Sequence, residues 1–583
     1  MQNDLLYGTS GPVPADIMIV GEAWGQQEER RQAPFVGQTG EELSKLLAET
    51  GISRRDCFIT NVVAARPPYN ELLWWFEATA TARKQHVPAL RGLYPKQIVL
   101  DGLTALYAQI KLVKPKLIIA LGNYPLWALT ESDFRITDKS GHKVPTGIGL
   151  YRGSMLRTPA PLGNIPLLPT YHPAAIFRTW KWRSDIKHDL QARVPLALSQ
   201  QWTEPNRAYV TRPSFEQVMA ILAELAKRAE VGPIYLSEDI ETYNEHITCI
   251  GYAWSSCESL CIPFTDEHGS YWSEEQETEI ILTIRQLHSN PNIKTLGMNF
   301  LYDAQYIALY WGYKPTCFAD IMILHHLIWP DKPKSLNYIS SLYNAHHVYW
   351  KDEGHAGIGK VLGGSTFSFE QHWQYNCKDA LATFEAWTHL DTLIERLGLQ
   401  EQAIEQMRLF DIVLDMMLRG VRIDLERRKA IHSDLTAMIE NRRSFLENVI
   451  DPTVWPRKKG ASPWYTSPKQ QCALFYDVLG LPEIKRRGKK GRAGPRTCND
   501  DALGRIGKRE PVLRPIVTAI QELRSLRIFL KNFVDAELEL DNRIRCSFDI
   551  TGTRTFRWSS STNAFGRGTN LQTIPKGSEE APD

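Results

Sequence analysis

Cysteine is scarce and scattered along the 583 residues: nine in all, with Cys257 and Cys261 the only close pair and no second pair at zinc-site spacing. That pattern speaks against a disulfide framework and a structural metal. Charge of one sign is also lacking: the net charge is +2, so any surface for nucleic acid must be local. No apolar run approaches the ~18 residues of a membrane span. The opening "MQNDLLYGTSG" lacks the basic, apolar, small-residue order of a secretion signal. The expectation is a cytoplasmic chain that contacts no membrane. What is present is globular, at 43% apolar and 23% charged residues, and long enough for about three or four domains.

In the first two hundred residues, four short apolar runs each lead into a polar loop: "DIMIV" before "GEAWGQQEE", "CFITNVV" before "AARPPYN", "KLIIALG" before "NYPLWAL", and "IPLLPT" before "YHPAAIF". Helical patterns such as "GEELSKLLAETG" lie between them. Strands alternating with helices predict a parallel sheet covered on both faces. Ligands of such sheets bind beyond the carboxyl ends of the strands, which brings Glu22, Asn61 and His172 into one region. Singly, each also reads as a helix-start acid, a turn former, or a polar residue before proline.

The blocks "GEAWGQQEE", "APFVGQTGEELSKLL", "FITNVVAARPP", "PKLIIALG" and "TYHPAAIF", in that order over residues 15–190, resemble the uracil-DNA glycosylase superfamily, especially its iron–sulfur branch. The resemblance implies an α/β/α sandwich over residues 1–200. In it Glu22 activates water, Phe35 stacks on a flipped base, Asn61 reads the polar edge of that base, and His172 stabilises the departing anion. Two departures accompany it. Cys57 is the region's one cysteine and Ala65 stands where that branch carries another, so no iron–sulfur cluster is expected. Trp24 replaces the usual proline of "GEAPG", placing a large ring beside the acid, and the expectation is weak or absent uracil release.

"PIYLSEDIETYNEHITCIGYAWS" reads as two strands joined by a short turn, with Asp239 and Glu241 on one strand face. Two buried like charges require a cation, which points to a metal site. "NFLYD" sets Asn299 and Asp303 one helical turn apart on a single face, and "YNCKD" does the same for Tyr375 and Asp379. This order closely resembles the proofreading 3′→5′ exonuclease of DNA polymerases, a ribonuclease-H-like domain, over residues 207–395. The resemblance implies that Asp239, Glu241, Asp303 and Asp379 hold two magnesium or manganese ions and that Tyr375 orients the attacking water.

From about residue 400 the pattern is mostly helical, with a basic loop "KRRGKKGRAGPR" that includes Lys489 and Lys490 and suits phosphate contact. "RGVRID", "SPKQ…LGLP" and "TRTFRWSSS…NLQTIP" resemble the thumb and the start of the palm of family A DNA polymerases, over residues 400–583. By that resemblance Arg554, Arg557, Ser559, Ser560, Asn570 and Gln572 contact primer–template. Phe556 stands where glycine is usual, and "TNAFGRG" is an insertion. "KGSEEAPD" after "NLQTIP" is too short for the remaining palm and fingers. The expectation is therefore DNA binding without nucleotide incorporation, with a second polypeptide carrying palm and fingers or a truncated frame.

The whole reads as an α/β multidomain chain, the N-terminal portion of a bacteriophage-type family A polymerase with resident exonuclease. A stand-alone repair protein combining uracil excision with the nuclease, and a non-catalytic primer–template scaffold, are the alternatives.

Overall fold

The computed structural model describes residues 5–77, 94–130, 135–137, 143–145, 147–199, 205–351, 368–451, 455, 462–487 and 493–574. The chain divides into two compact units, Met1–Asp411 and Ile412–Asp583. Among the described residues, no helix is long and apolar enough to cross a membrane.

Two large sheets organise the first unit. In the N-terminal one, β1 (Ile17–Ala23), β2 (Cys57–Val63), β3 (Leu117–Leu121), β4 (Leu156–Arg157) and β5 (Pro166–Thr170) lie in the order β2-β1-β3-β5-β4. The pairs β1–β2, β1–β3 and β3–β5 are parallel, and β4 closes the edge antiparallel to β5. The period of two in the strands builds two cores. Met18, Val20, Ile118 and Ala120 face α2 (Gln97–Val113), while Ile19, Ile119 and Leu121 face α1 (Gln38–Glu49) and α3 (Trp182–Leu198). Near-continuous apolar strands are what two covered faces require.

The second sheet is mixed. Its strands are β6 (Ala208–Val210), β7 (Ile234–Tyr243), β8 (His246–Ala253), β9 (Glu258–Pro263), β10 (Ile293–Gly297) and β11 (Ala319–Asp320), in the order β6-β9-β8-β7-β10-β11. β7, β8 and β9 form an antiparallel meander, and β10 joins β7 in parallel. Helices α4 (Leu301–Tyr310), α5 (Leu336–Tyr343) and α6 (Phe369–Leu397) follow. α6 starts on a Ser368–Gln371 capping box and ends at Gly398, whose φ of 66° releases the chain from the helix. This is the flanked mixed sheet expected of a ribonuclease-H-like domain.

The two sheets share one unit through buried polar contacts. Arg152 and Asp189, 1% and 0% exposed at their side chains, form an ion pair. Arg152 also donates to Ser341 Oγ (2.8 Å), and Thr170 donates to Asp189 (2.6 Å). Arg193 donates to the carbonyls of Gly153, Ser341 and Ala345. Ser154 accepts the Tyr349 amide at 3.2 Å.

The second unit is mostly helical, with α7 (Leu425–Asn448), α8 (Asp500–Arg509) and α9 (Arg514–Phe529) around Leu446, Phe475, Leu503, Ile520 and Leu523.

Candidate active sites

In the N-terminal sheet Gly21 on β1 lies opposite Asn61 on β2. A Cβ at Gly21 would fall 2.3 Å from Asn61 Oδ1 and 2.6 Å from the Phe35 ring, so only glycine lets both side chains converge there. Phe35 has a φ of 52°. The Glu28 carboxylate holds the following turn by accepting from the Val36 and Gly37 amides at 3.1 and 2.9 Å. The His172 ring is 5.6 Å from that of Phe35. Glu22, the next residue on β1, accepts the Asn123 amide (3.1 Å) at the start of the helix that follows β3. The four predicted residues thus gather at the carboxyl ends of the strands.

His172 Nδ1 accepts from the Ala174 amide at 3.3 Å, which leaves the hydrogen of a neutral ring on Nε2. Burial, aided by Arg178, pushes its pKa down to about 4. A neutral imidazole with its hydrogen on Nε2 can donate to a developing anion. Trp24, expected to crowd the acid, packs against Gly8 and Tyr7. Cys57 is buried, and burial pushes its thiol up to about 11.

In the mixed sheet, Asp239 and Glu241 alternate with Ile240 on β7, facing β8 at Gly251 and Cys249. Asp379 reaches them from α6, and ligand oxygens of Asp239, Glu241 and Asp379 lie within 4.8 Å of one another. Asp303, on α4, is buried beside them, and its Oδ1 accepts the Ile240 amide at 2.9 Å. Burial, reinforced by Asp379, Glu241 and Asp303, holds the Asp239 carboxyl well above the usual range. Burial likewise raises Glu241 to about 7. Tyr375 stands one turn before Asp379 on α6, as predicted. Burial and the nearby carboxylates push its hydroxyl far up.

Asn299 departs from the expected pairing. It precedes α4 with a φ of 57°, because the Asp320 carboxylate accepts the Asn299 and Phe300 amides at 3.1 and 2.8 Å and starts the helix at Leu301. Asn299 and Asp303 therefore do not share a helix face.

Three residues of this site escaped the sequence reading. Asn376 donates to both the carbonyl and the carboxylate of Asp239 (3.0 and 2.9 Å). Gly251 makes room for it, since a Cβ there would meet Asn376 Oδ1 at 2.4 Å. Trp350 Nε1 donates to Asp379 Oδ1 at 2.6 Å. Lys351 donates to Tyr375 (2.6 Å) and forms an ion pair with Asp379. Asn376 adjoins Tyr375 in "YNCKD", a signal within the motif itself; Trp350 and Lys351 carry no local signal.

In the second unit, Arg554 and Arg557 are exposed in the turn between the paired strands Ser547–Asp549 and Ser559–Ser561. Ser560 donates to Asn570 Oδ1, which also accepts the Gln572 amide at 3.1 Å. Phe556, which stands where the polymerase resemblance expects glycine, has a φ of 61°, a left-handed conformation that favours glycine. The insertion folds as its own closed turn, with Asn563 Oδ1 accepting the Phe565 and Arg567 amides. Lys489 and Lys490 lie outside the described residues. Arg496 pairs with Asp477 and Glu483.

A model of the uracil DNA glycosylase superfamily matches residues 9–192. The type-4 uracil-DNA glycosylase of Pyrobaculum aerophilum is 34% identical over 180 residues, which is 31% of this chain and 77% of that protein. The chain belongs to the uracil-DNA glycosylase superfamily. The Thermotoga maritima type-4 enzyme is 33% identical over 29% of this chain and 69% of its own length. This superfamily domain is joined to more than the match covers. The DNA polymerase of Bacillus phage SP01 is 20% identical over 97% of this chain, which spans 64% of that polymerase. A solved structure, the POL domain of Pol1 from M. smegmatis in complex with DNA primer-template and dNTP, aligns at a TM-score of 0.46 and 17% identity, covering 64% of this chain and 57% of that one.

Proposed function

We propose that the chain is a DNA replication and proofreading protein of phage-polymerase type whose mixed-sheet domain hydrolyses DNA from the 3′ end. The reading is carried by the convergence of Asp239, Glu241 and Asp379 ligand oxygens within 4.8 Å, beside buried Asp303. The donor set fits hard divalent cations of the magnesium or manganese class. Carboxylates at this spacing repel one another, and the Lys351 ammonium already lies against Asp379 as a stand-in cation. When bound, a pair of such ions supplies an activated water and charge neutralisation at the leaving 3′ oxygen. Asp239, Glu241, Asp303 and Asp379 hold them. Asn376 fixes Asp239, Trp350 fixes Asp379, and the Tyr375 hydroxyl orients the water. With end-labelled single strands and magnesium, stepwise shortening with release of nucleoside monophosphates is expected, and Asp239→Ala lowers the rate by several orders of magnitude. Undiminished digestion by that variant, or digestion in excess chelator, defeats the reading.

The exposed Arg554 and Arg557, with Ser559, Ser560, Asn570 and Gln572, contact the primer–template backbone in this reading, which makes binding steeply salt-dependent.

A second reading, uracil excision by the N-terminal domain, is favoured by the neutral His172 beside Phe35, whose ring meets Asn61 over Gly21. Abasic sites formed in uracil-containing duplex, and lost in His172→Ala, support it; their absence from the intact chain removes it.

A further inference from the structure

The loop after β2 carries three side chains that neither proposed reaction uses and that the fold leaves in water. Tyr69, Leu73 and Trp74 are 82%, 60% and 51% exposed. The next two residues, Trp75 and Phe76, are buried in the core of the N-terminal sheet. The tight helical turn Leu72–Trp75 thus anchors itself through one indole and turns Leu73 and Trp74 outwards. The Tyr69 and Trp74 rings stand together, with centroids 5.9 Å apart and planes tilted by 42°.

The backbone holds this arrangement against its own preference. Tyr69 and Asn70 have φ values of 55° and 59°, a left-handed conformation that tyrosine rarely adopts. Several contacts keep the turn rigid. The Asn70 and Glu71 amides donate to the carbonyls of Pro67 and Pro68, each at 3.0 Å, and Arg66 Nε donates to Asn70 Oδ1 at 2.7 Å. Rings set out in water on a strained, rigid turn are costly to the free protein. They also lower the ordering cost of a ligand that uses them.

The place of the patch indicates that ligand. The loop leaves the carboxyl end of β2, the strand that carries Asn61. Its Ala65 carbonyl accepts the Trp24 amide at 2.9 Å, two residues beyond Glu22. Arg66 pairs with Glu29 at 3.2 Å, and the adjoining Glu28 holds the turn after Phe35. The patch is therefore continuous with the elements that carry Glu22, Phe35 and Asn61. A protein partner requires about 20–30 residues a side, whereas three side chains make up this patch. A base requires only the face of one ring.

We propose that Tyr69 and Trp74 form a stacking platform for unpaired bases of a DNA strand that passes the cluster of Phe35, Asn61 and His172. Leu73 extends its apolar floor. Every base has a π-face, so the platform tolerates any sequence. The choice of DNA as occupant rests on the reading of this domain as one that handles DNA; release of uracil is not required for it.

The test is photocrosslinking of the full chain to an oligothymidylate that carries one 5-iododeoxycytidine, in chelator so that the strand is not digested, followed by peptide mapping. A crosslink is expected at Tyr69 or Trp74. Trp74→Ala should lower the yield at Tyr69 about fivefold or more, and Tyr69→Phe, which keeps the ring, should leave the yield at Trp74 near the parent's. Crosslinks confined to other peptides overturn the proposal. So does an unchanged yield at Tyr69 in Trp74→Ala. Concentration-dependent self-association of the parent that is lost in Trp74→Ala, with no crosslink at this loop, assigns the patch to a second copy and overturns DNA as its occupant. The strand contains no uracil, so a crosslink here without abasic-site formation on uracil-containing duplex removes the excision reading alone, and the reverse result removes the platform alone.

Discussion

The indole of Trp350 donates to Asp379 Oδ1 at 2.6 Å, and the residue before it, Tyr349, is anchored by its amide to Ser154 of the other domain. One carboxylate of the candidate nuclease is thus oriented by a segment that the glycosylase-superfamily domain holds in place. Trp350→Phe keeps most of the packing and removes the donor. The expected outcome is a ~10–100-fold loss of nuclease rate, the range for removing a group that orients a metal ligand, with a higher magnesium concentration for half-maximal rate. Magnesium titrations of single-turnover digestion check both.

Lys351 neutralises part of the negative charge around Asp379. Without it the carboxylates repel one another unless a cation binds. Lys351→Met is therefore expected to melt at a lower temperature than the parent in chelator and to regain most of the difference in magnesium. Melting curves under the two conditions decide it; an equal shift in both assigns Lys351 to packing alone.

The Arg152–Asp189 pair is buried at both side chains. Removing one partner strands the other charge, at a cost of about 3–5 kcal/mol. Asp189→Asn should destabilise the first unit by that order, read as a shift of its denaturant midpoint. Replacing both, Arg152→Met with Asp189→Leu, should recover much of the loss.

His172 is held down to about 4 from an ordinary value of 6.5. The unfolded chain then binds more protons than the folded one between those values. This group's contribution to stability is complete above about 6.5 and is lost as pH falls towards 4. A ring titration by NMR should show a midpoint near 4, and the parent's stability should fall faster over that window than that of His172→Gln. A midpoint near 6.5 would falsify the enclosed, neutral ring.

Some of this molecule is written in local pattern. Apolar strands with period two, as in Leu117–Leu121, alternate strictly between the two cores, and the same period sets Asp239 and Glu241 on one side of β7. The loops after parallel strands must emerge at one end of the sheet, which places Glu22, Asn61 and His172 together from sequence order alone. The one-turn spacing of Tyr375 and Asp379 holds because α6 is regular through both. That of Asn299 and Asp303 fails because Asp320, a residue distant in the chain, takes the backbone amides that a helix would otherwise leave open.

The sequence by itself determined the strand and helix periods, the acids that share a face, and the order of the blocks, because each depends only on the geometry of a short stretch of backbone. Tertiary structure decided which groups complete the sites. Trp350 and Lys351 reach Asp379, Asn376 reaches Asp239 across Gly251, and Arg152 meets Asp189, each by packing between segments far apart in sequence. No periodicity encodes such meetings. They follow from which faces must be buried against one another, and the polar groups caught between those faces pair with whatever the packing brings within reach.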